Sequence, residues 1–177
     1  MDKPHHDVYF KSMSLLFKIR DIFSPRINVL KEVGIKPGYH VLDYGCGPGG
    51  YVTPLSKLVG ESGKIFALDI HPLAVHSVQN VAAKKKLTNL QTILSDCQTG
   101  LEDRSVDAVL LYDVLHDLLQ PDKVLKEIHR VLKAKGILSV SDHHLAKNII
   151  ISKITGKGLF NFLTKGKKTH SFSKIER

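Results

Sequence analysis

Short apolar runs alternate with longer mixed segments along most of the chain. The runs are nearly continuous, as expected of strands buried on both faces, and they predict strands at residues 39–44, 64–70, 90–96, 106–112 and 137–142. The intervening segments predict helices, by composition or by apolar residues three or four apart, at residues 51–58, 72–86 and 121–133. This alternation predicts an α/β fold in which right-handed crossovers place helices on both faces of a parallel sheet.

The two ends of the chain depart from this alternation. Residues 7–23 carry a roughly helical stripe of apolar side chains, which predicts one or two amphipathic helices, and a further short helix is predicted at residues 26–33. Residues 159–164 and 169–175 predict an antiparallel hairpin around a lysine-rich turn. We therefore expect a single domain over residues 1–177. Residues 1–33 would form N-terminal helices and a candidate lid, and residues 34–177 the core.

Composition narrows the class of protein. A chain of 177 residues, 42% of them hydrophobic, can bury a core without disulfides or a metal ion. No apolar run approaches the roughly 18 residues of a membrane-spanning helix, and the charged start MDKPHHDVYF lacks the apolar core of a signal peptide. Two cysteines are too few for a disulfide framework. These features predict a cytoplasmic protein.

The net charge of +9 leaves several partners open. It arises from 26 lysines and arginines against 17 aspartates and glutamates. A basic surface can bind nucleic acid, an acidic substrate or an anionic membrane, or it can simply keep the protein soluble. The lysines are spread through the chain and lack the interleaved aromatic residues that stack on bases. Charge alone therefore does not select a partner.

A glycine-rich loop follows the first predicted strand, in the segment VLDYGCGPGG from Val41 to Gly50. Glycine permits positive φ angles and lets a ligand lie against the backbone, while N–H groups of the following helix face that ligand. The segment satisfies both G-x-G-x-G and G-x-G-x-x-G. It is therefore compatible with a dinucleotide or with S-adenosylmethionine, and the glycines do not decide between an oxidoreductase and a transferase.

Three acidic residues favour the sulfonium cofactor. Asp69 ends the second predicted strand, where either cofactor would present its ribose hydroxyls. Asp43 lies just before the first glycine, where a carboxylate suits a cationic amino group and would repel a pyrophosphate. Asp96 ends the third predicted strand and can accept from an adenine amino group. Each acid could instead be a capping or solvated turn residue, so the interpretation depends on all three together.

With these residues, the chain resembles the class I S-adenosylmethionine-dependent methyltransferases of the compact small-molecule type. The resemblance covers about residues 24–174, and its segments are VLDYGCGPGG, FALDI, ILSDC, VDAVLLYDVLHDL and LKEIHRVLKAKGILSVSD. It implies a Rossmann-like sheet of seven strands in the order 3-2-1-4-5-7-6, with strand seven antiparallel. It also implies S-adenosyl-L-methionine as cofactor and S-adenosyl-L-homocysteine as product.

The resemblance further implies a role for each matching residue. The methionine part of the cofactor would be surrounded by Asp43, Gly45, Cys46 and Gly47. Asp69 would hold the ribose hydroxyls, and the adenine would be bordered by Ile70, Asp96 and Cys97. Tyr112, at the end of the fourth strand, would line the floor near the transferred methyl group, although a purely structural aromatic residue fits that position equally well.

Catalytic residues are less clearly marked in the sequence. Methyl transfer depends largely on positioning, and a general base is required only when the acceptor carries a proton of high pKa. His116 and His143 follow the fourth and fifth predicted strands, at the edge where an open sheet presents its ligand crevice. They are the candidate bases. Asp113 and Asp117 lack a supporting metal ligand, so we expect no metal.

The acceptor is only weakly encoded. The segment Tyr112-Asp113-Val114-Leu115 lacks the Pro-Pro-aromatic turn with which amino-methyltransferases clamp a flipped base. A small-molecule acceptor is therefore favoured. An RNA or other nucleic-acid acceptor, and an NAD-type oxidoreductase using the same glycine loop, remain as alternatives.

Overall fold

A seven-stranded sheet forms the centre of the protein, as the resemblance implied. The computed structural model describes residues 26–176. Its strands are β1 (His40–Tyr44), β2 (Lys64–Asp69), β3 (Leu90–Leu94), β4 (Val106–Tyr112), β5 (Leu132–Ser141), β6 (Phe160–Lys165) and β7 (His170–Lys174). Their order in the sheet is β3-β2-β1-β4-β5-β7-β6. Strand β7 is antiparallel to both of its neighbours, and the pairs from β3 to β5 are parallel. The predicted topology is confirmed.

Helices cover both faces of this sheet. They are α1 (Arg26–Val33), α2 (Val52–Val59), α3 (Pro72–Lys85), α4 (Pro121–Val131) and α5 (Lys147–Thr155). Helices α4 and α5 bury their apolar residues against one face, and α1 and α2 bury theirs against the other. Helix α3 packs on the second face through Val78, next to Cys46 of the glycine loop. The amphipathic helices predicted at residues 7–23 lie outside the described residues.

Helix α4 shows how the apolar pattern specifies a packing face. Its four apolar residues at helical spacing, Val124, Leu125, Ile128 and Val131, are all at least 99% buried. Burying each such side chain contributes about 1.5–3 kcal/mol. Pro121 occupies the first turn, where its missing N–H costs no hydrogen bond. The helix is thereby fixed against β4 and β5, whose ends carry several candidate site residues.

Two boundary shifts and one unpredicted helix are the main differences from the predictions. Strand β3 ends at Leu94, because its partner β2 ends at Asp69, and Asp96 therefore lies in the following loop. Strand β5 begins at Leu132, five residues before the predicted start. Leu132 pairs with Val106, and the pairing is irregular between Val106 and Ala108. The polar segment KAKG, which follows Leu132, gave no strand pattern in the sequence. Helix α5 was not predicted, because its three consecutive isoleucines have low helix propensity. It forms because Ile150 and Ile154, one turn apart, are both buried.

The position of β1 determines where a ligand can bind. It lies between β2 and β4, at the point where the strand order reverses. The connections from β1 and β4 therefore leave the sheet on opposite faces and open a crevice at their carboxyl ends. The glycine loop follows β1 at this crevice. Among residues 26–176, no helix is long and apolar enough to cross a membrane.

The hairpin of β6 and β7 is tied to α1 by one carboxylate. Glu32 Oε2 accepts hydrogen bonds from the backbone N–H groups of Lys168 and Thr169, both at 3.1 Å, and from Thr169 Oγ1 at 2.9 Å. A side chain at Gly166 would overlap the same carboxylate. The turn is therefore shaped around Glu32.

We expect Glu32→Ala to lower the free energy of unfolding by about 1–3 kcal/mol, because Thr169 is buried and would lose its acceptor. Urea unfolding followed by circular dichroism measures this loss. Glu61→Ala, which removes an exposed glutamate from another turn, serves as the control and should change stability by less than about 0.5 kcal/mol. Equal stability of the two variants would contradict the assignment.

Candidate active site

The glycine loop is held against β2 by its own backbone. The N–H groups of Gly45 and Cys46 both donate to Leu68 O, at 2.8 and 2.9 Å. Gly45 and Gly47 have φ angles of 77° and 52°, a region that side chains disfavour. A Cβ on Gly45 would also overlap Val114, which follows β4. The loop therefore needs glycine both for its conformation and for its close approach to the neighbouring strand end.

Asp69 fixes the other side of the loop. Its Oδ2 accepts from the N–H of Gly47 at 2.8 Å, and its Oδ1 accepts from the N–H of His71 at 2.8 Å. Burial raises the pKa of the carboxyl, and these backbone hydrogen bonds oppose that rise. His71 in turn caps α3, since its Nδ1 accepts from the N–H of Leu73. Asp69 thus joins β2, the loop and α3, and Ile70 lies half-buried beside it.

Asp43 is a buried acid with an unused acceptor atom. The residue is 2% exposed, and its Oδ2 has no hydrogen-bond partner among residues 26–176. Burial raises its pKa to about 7, the nearby charge of Arg26 lowers it, and Asp69 raises it further. A carboxylate without a partner is costly in such a place unless a cation or donor meets it. Asp43 is therefore suited to a cationic group bound at the loop.

The loop after β3 is attached to β1 through Tyr44. The Tyr44 hydroxyl lies 3.3 Å from both Asp96 O and Cys97 O, so one proton is shared between two carbonyl groups. Cys46 and Cys97 are free thiols, and burial raises the pKa of each. Neither thiol has the lowered pKa of a nucleophile. Cys46 contributes to the loop a backbone N–H that donates to Leu68 O and a small side chain that is buried.

Tyr112 is almost completely buried, and its hydroxyl group is bound within the sheet. It is 7% exposed, and its hydroxyl forms a 2.8 Å hydrogen bond with Ser139 Oγ on β5. Its ring packs against Tyr51, at 5.1 Å between centroids, and Arg26 lies over the Tyr51 ring. Burial raises the pKa of Tyr112, so the phenol stays neutral. A role near a transferred group stays a prediction for this residue.

The two candidate bases lie together where β4 and β5 end. His116 Nδ1 is 2.9 Å from Asp142 Oδ2, and His143 Nδ1 is 2.6 Å from Asp113 Oδ1. His144 lies between the two imidazoles, 4.2 Å from the His116 ring and 4.0 Å from the His143 ring. In the part of the chain that the structure describes, no group of three or more His, Cys, Asp or Glu residues is arranged to hold a metal ion.

Comparisons with known proteins agree with this geometry. A protein family described as a methyltransferase domain matches residues 35–171. The chain therefore belongs to the class I S-adenosylmethionine-dependent methyltransferases. A solved methyltransferase of that type from Aquifex aeolicus is 28% identical, with a TM-score of 0.76 over 90% of this chain and 97% of the other.

Two curated relatives are similar to this methyltransferase over most of its length. The ubiquinone/menaquinone biosynthesis C-methyltransferase UbiE of Pseudoalteromonas translucida is 32% identical over 76% of this chain and 55% of its own. The ribosomal RNA large subunit methyltransferase E of Buchnera aphidicola is 30% identical over 80% of this chain and 66% of its own. The chain thus spans between half and two thirds of these relatives.

Two features of the glycine-loop region of this methyltransferase are compatible with bound S-adenosylmethionine. The unpartnered Asp43 Oδ2 suits the cofactor's ammonium group, and the space beside Gly47, where an added Cβ would meet nothing within 4 Å, admits a ligand against the backbone. A surface cleft of about 560 Å³ adjoins Asp96 and Cys97 but otherwise follows α4. Its lining includes no residue of the glycine loop, so we do not identify it with the cofactor site.

Some residues at this site have no signal in the sequence. Arg26 lies against Gly50 and Tyr51, although it is 24 positions before the nearer of them. The carboxylates of Asp113 and Asp142 contact histidines across two strand ends, and only strand pairing brings them together. The sequence gives one sign of these two aspartates: each is a polar residue directly after a strand. Ligands bind at that edge of a parallel sheet.

The raised pKa of Asp43 predicts a pH-dependent stability difference. Because the pKa of Asp43 lies near 7 in the folded protein and an aspartate's usual pKa is 3.8, ionisation destabilises the folded state progressively from about pH 4 to pH 7. The penalty is absent below that window and constant above it. We expect the stability of Asp43→Asn, relative to the parent, to rise with pH from 4 to 7 and then level off. Urea unfolding at pH 5, 6, 7 and 8 measures it. A pH-independent difference would contradict the assignment.

Proposed function

We propose that this chain transfers the methyl group of S-adenosylmethionine to a small-molecule acceptor. The observation that carries the proposal is the buried, unpartnered carboxylate of Asp43 beside the glycine loop of a methyltransferase domain. An ammonium group is the natural partner for that atom, since opposite charges in a buried place attract strongly. The oxidoreductase alternative is set aside by the family to which the chain belongs.

The cofactor contacts follow from the position of each residue. Asp43 and the backbone of Gly45, Cys46 and Gly47 would bind the amino-acid part. Asp69 would use its remaining lone pairs for the ribose hydroxyls, because each of its oxygens already accepts one backbone N–H.

Neighbouring segments would bind the adenine and the carboxylate of the cofactor. Ile70 would border the adenine ring, and the loop containing Asp96 and Cys97 would face its polar edge. Tyr112 would close the floor of the site. Arg26, which lies against the loop at Gly50, would meet the cofactor's carboxylate.

The chain's contribution to the reaction is mainly positioning. When bound, S-adenosylmethionine supplies a methyl group on a positively charged sulfur, which is a good leaving group. Correct orientation of two reactants is worth about 7–11 kcal/mol of the barrier. Asp43 and the loop amides would fix one reactant, and the residues after β4 and β5 would hold the other. His116 and His143 are the proposed bases for an acceptor that must lose a proton.

A small molecule is the favoured acceptor. The relative from Pseudoalteromonas is named as a C-methyltransferase of quinone biosynthesis. A nucleic-acid acceptor is the second candidate, because the Buchnera relative is named as acting on ribosomal RNA and this chain carries a net charge of +9. Gel-shift titration with labelled RNA at 50 and 200 mM salt separates them. Tight, strongly salt-dependent binding would favour the second candidate.

We also propose that residues 1–177 work as one domain in the cytoplasm. Both cysteines are free thiols, which persist in reducing compartments. Cell fractionation with immunoblotting tests the location, and recovery of the chain in a membrane or secreted fraction would contradict it.

Isothermal titration with S-adenosylhomocysteine tests the cofactor. We expect binding that strengthens as pH rises towards 7, because a bound ammonium group favours the ionised form of Asp43. At pH 6, binding should release the proton of Asp43. The measured binding enthalpy should therefore differ between buffers that have different ionisation enthalpies. NADH, followed by its fluorescence, serves as the control ligand. Absence of S-adenosylhomocysteine binding at millimolar concentration would overturn the proposal.

A second titration tests the ribose contact. We expect Asp69→Ala to weaken binding by about 1–3 kcal/mol, roughly 5- to 150-fold in Kd. The 2′,3′-dideoxy analogue of S-adenosylhomocysteine separates a ribose contact from loop distortion. It should bind more weakly than the parent ligand to the original protein, and equally to Asp69→Ala. Asp103→Ala, at an exposed site, is the control. Equal discrimination by both proteins would refute the ribose assignment.

A further inference from the structure

Two histidine–aspartate pairs cross between the ends of β4 and β5. Asp142, directly after β5, accepts at one oxygen from the backbone N–H of His116 at 3.0 Å and contacts its Nδ1 at 2.9 Å. Asp113, directly after β4, accepts at one oxygen from the backbone N–H of His143 at 3.2 Å and contacts its Nδ1 at 2.6 Å. Each strand end thus supplies the carboxylate that holds the other strand end's histidine.

This arrangement defines the chemical form of each imidazole. A carboxylate only accepts hydrogen bonds, so the Nδ1 atom that meets it must carry the proton. In the neutral ring the lone pair is then on Nε2, the atom directed away from the carboxylate. The second hydrogen bond, from the backbone N–H to the same oxygen, fixes the carboxylate relative to the ring. Both histidines therefore carry a proton on Nδ1, and for His116 the atom left to accept a proton is Nε2, which has only the largely exposed carboxylate of Asp117 near it, at 3.4 Å.

The two pairs differ in burial, and the difference selects His116. The Asp142 side chain is fully buried and the His116 side chain is 22% exposed, whereas the His143 side chain is 57% exposed. Solvent weakens the more exposed pair. Among residues 26–176, the charged or titratable groups that face His116 include Asp142, His143 and His144 after β5, and Asp117 in its own segment, whose Oδ2 is 3.4 Å from Nε2.

We propose that His116 is the general base of methyl transfer, that Asp142 is its positioning residue, and that the acceptor is a phenol or enol. This inference rests on the proposed function. A base in a fixed tautomer is useful only when the acceptor carries an ionisable proton. Acceptors that are already nucleophilic, such as thioethers and tertiary amines, need none. The crossed pairs at the acceptor side of the crevice therefore indicate an acidic O–H group.

The step balances without another reactant. The acceptor's O–H proton passes to His116 Nε2, and an electron pair of the resulting oxyanion forms the new bond to the methyl carbon, either from oxygen or from a conjugated ring carbon. The bond between that carbon and sulfur breaks as its electron pair passes to sulfur. The imidazolium of His116 then releases its proton to water. C-methylation additionally releases the ring proton.

Nitrogen NMR tests the positioning without any acceptor. Long-range 1H–15N correlation spectra of the full chain with S-adenosylhomocysteine report the tautomer of each histidine. At pH 8 we expect His116 as the Nδ1–H tautomer, and we expect Asp142→Asn to shift it towards Nε2–H. Asp117→Asn, the matched control, should leave the tautomer unchanged. An Nε2–H tautomer in the unaltered protein, as expected if Asp117 were its partner, would overturn the assignment.

Activity measurements test the acceptor class. With catechol, hydroquinone and 1,4-naphthohydroquinone as probes, we expect methyl transfer whose kcat rises with pH through one ionisation. His116→Gln should lower kcat by about 100- to 10,000-fold, and Asp142→Asn by less. Both variants should keep the parent's Kd for S-adenosylhomocysteine, which shows that they fold. Cofactor binding without transfer to any probe would overturn the acceptor class while leaving the proposed cofactor site intact.

Discussion

The two hydrogen bonds of the Asp69 carboxylate, to Gly47 and to His71, are the contact on which the site depends. They close the glycine loop onto the end of β2 and begin α3 at the same time. Beside the loop, near the end of β1, Asp43 is buried with one oxygen that has no hydrogen-bond partner among residues 26–176. Burial of Asp43 in the middle of the sheet raises its pKa, and the neighbouring charge of Asp69 raises it further.

Carboxylates at strand ends serve two distinct purposes in this protein. Asp43 within β1 and Asp69 at the end of β2 lie at the glycine loop, where burial raises their pKa values. Asp113 and Asp142, after β4 and β5, are already engaged with histidines. In the proposed function the first pair belongs to the cofactor half of the crevice and the second to the acceptor half. The reversal of strand order at β1 places the two halves side by side.

Much of this organisation follows from local sequence, and the rest from pairing across the sheet. The glycines and Asp69 are readable because their spacing is short and each residue type has a physical reason. The partners of His116 and His143 are not readable, since each lies 26 to 30 residues away. Helix α5 was missed because three isoleucines oppose helix propensity, whereas burial of Ile150 and Ile154 favours it. Both the histidine partners and helix α5 therefore depend on packing between distant segments, which local sequence does not show.

The order of the last two strands has a consequence for synthesis on the ribosome. Strand β6 precedes β7 in the chain, yet β7 lies between β5 and β6 in the sheet. In the described sheet β6 pairs only with β7, so the nascent chain cannot place β6 until β7 has emerged. Until then the edge of β5 exposes unpaired backbone groups, which are open to pairing with other chains. Pairing of β7 with β5 is therefore the step that covers this edge.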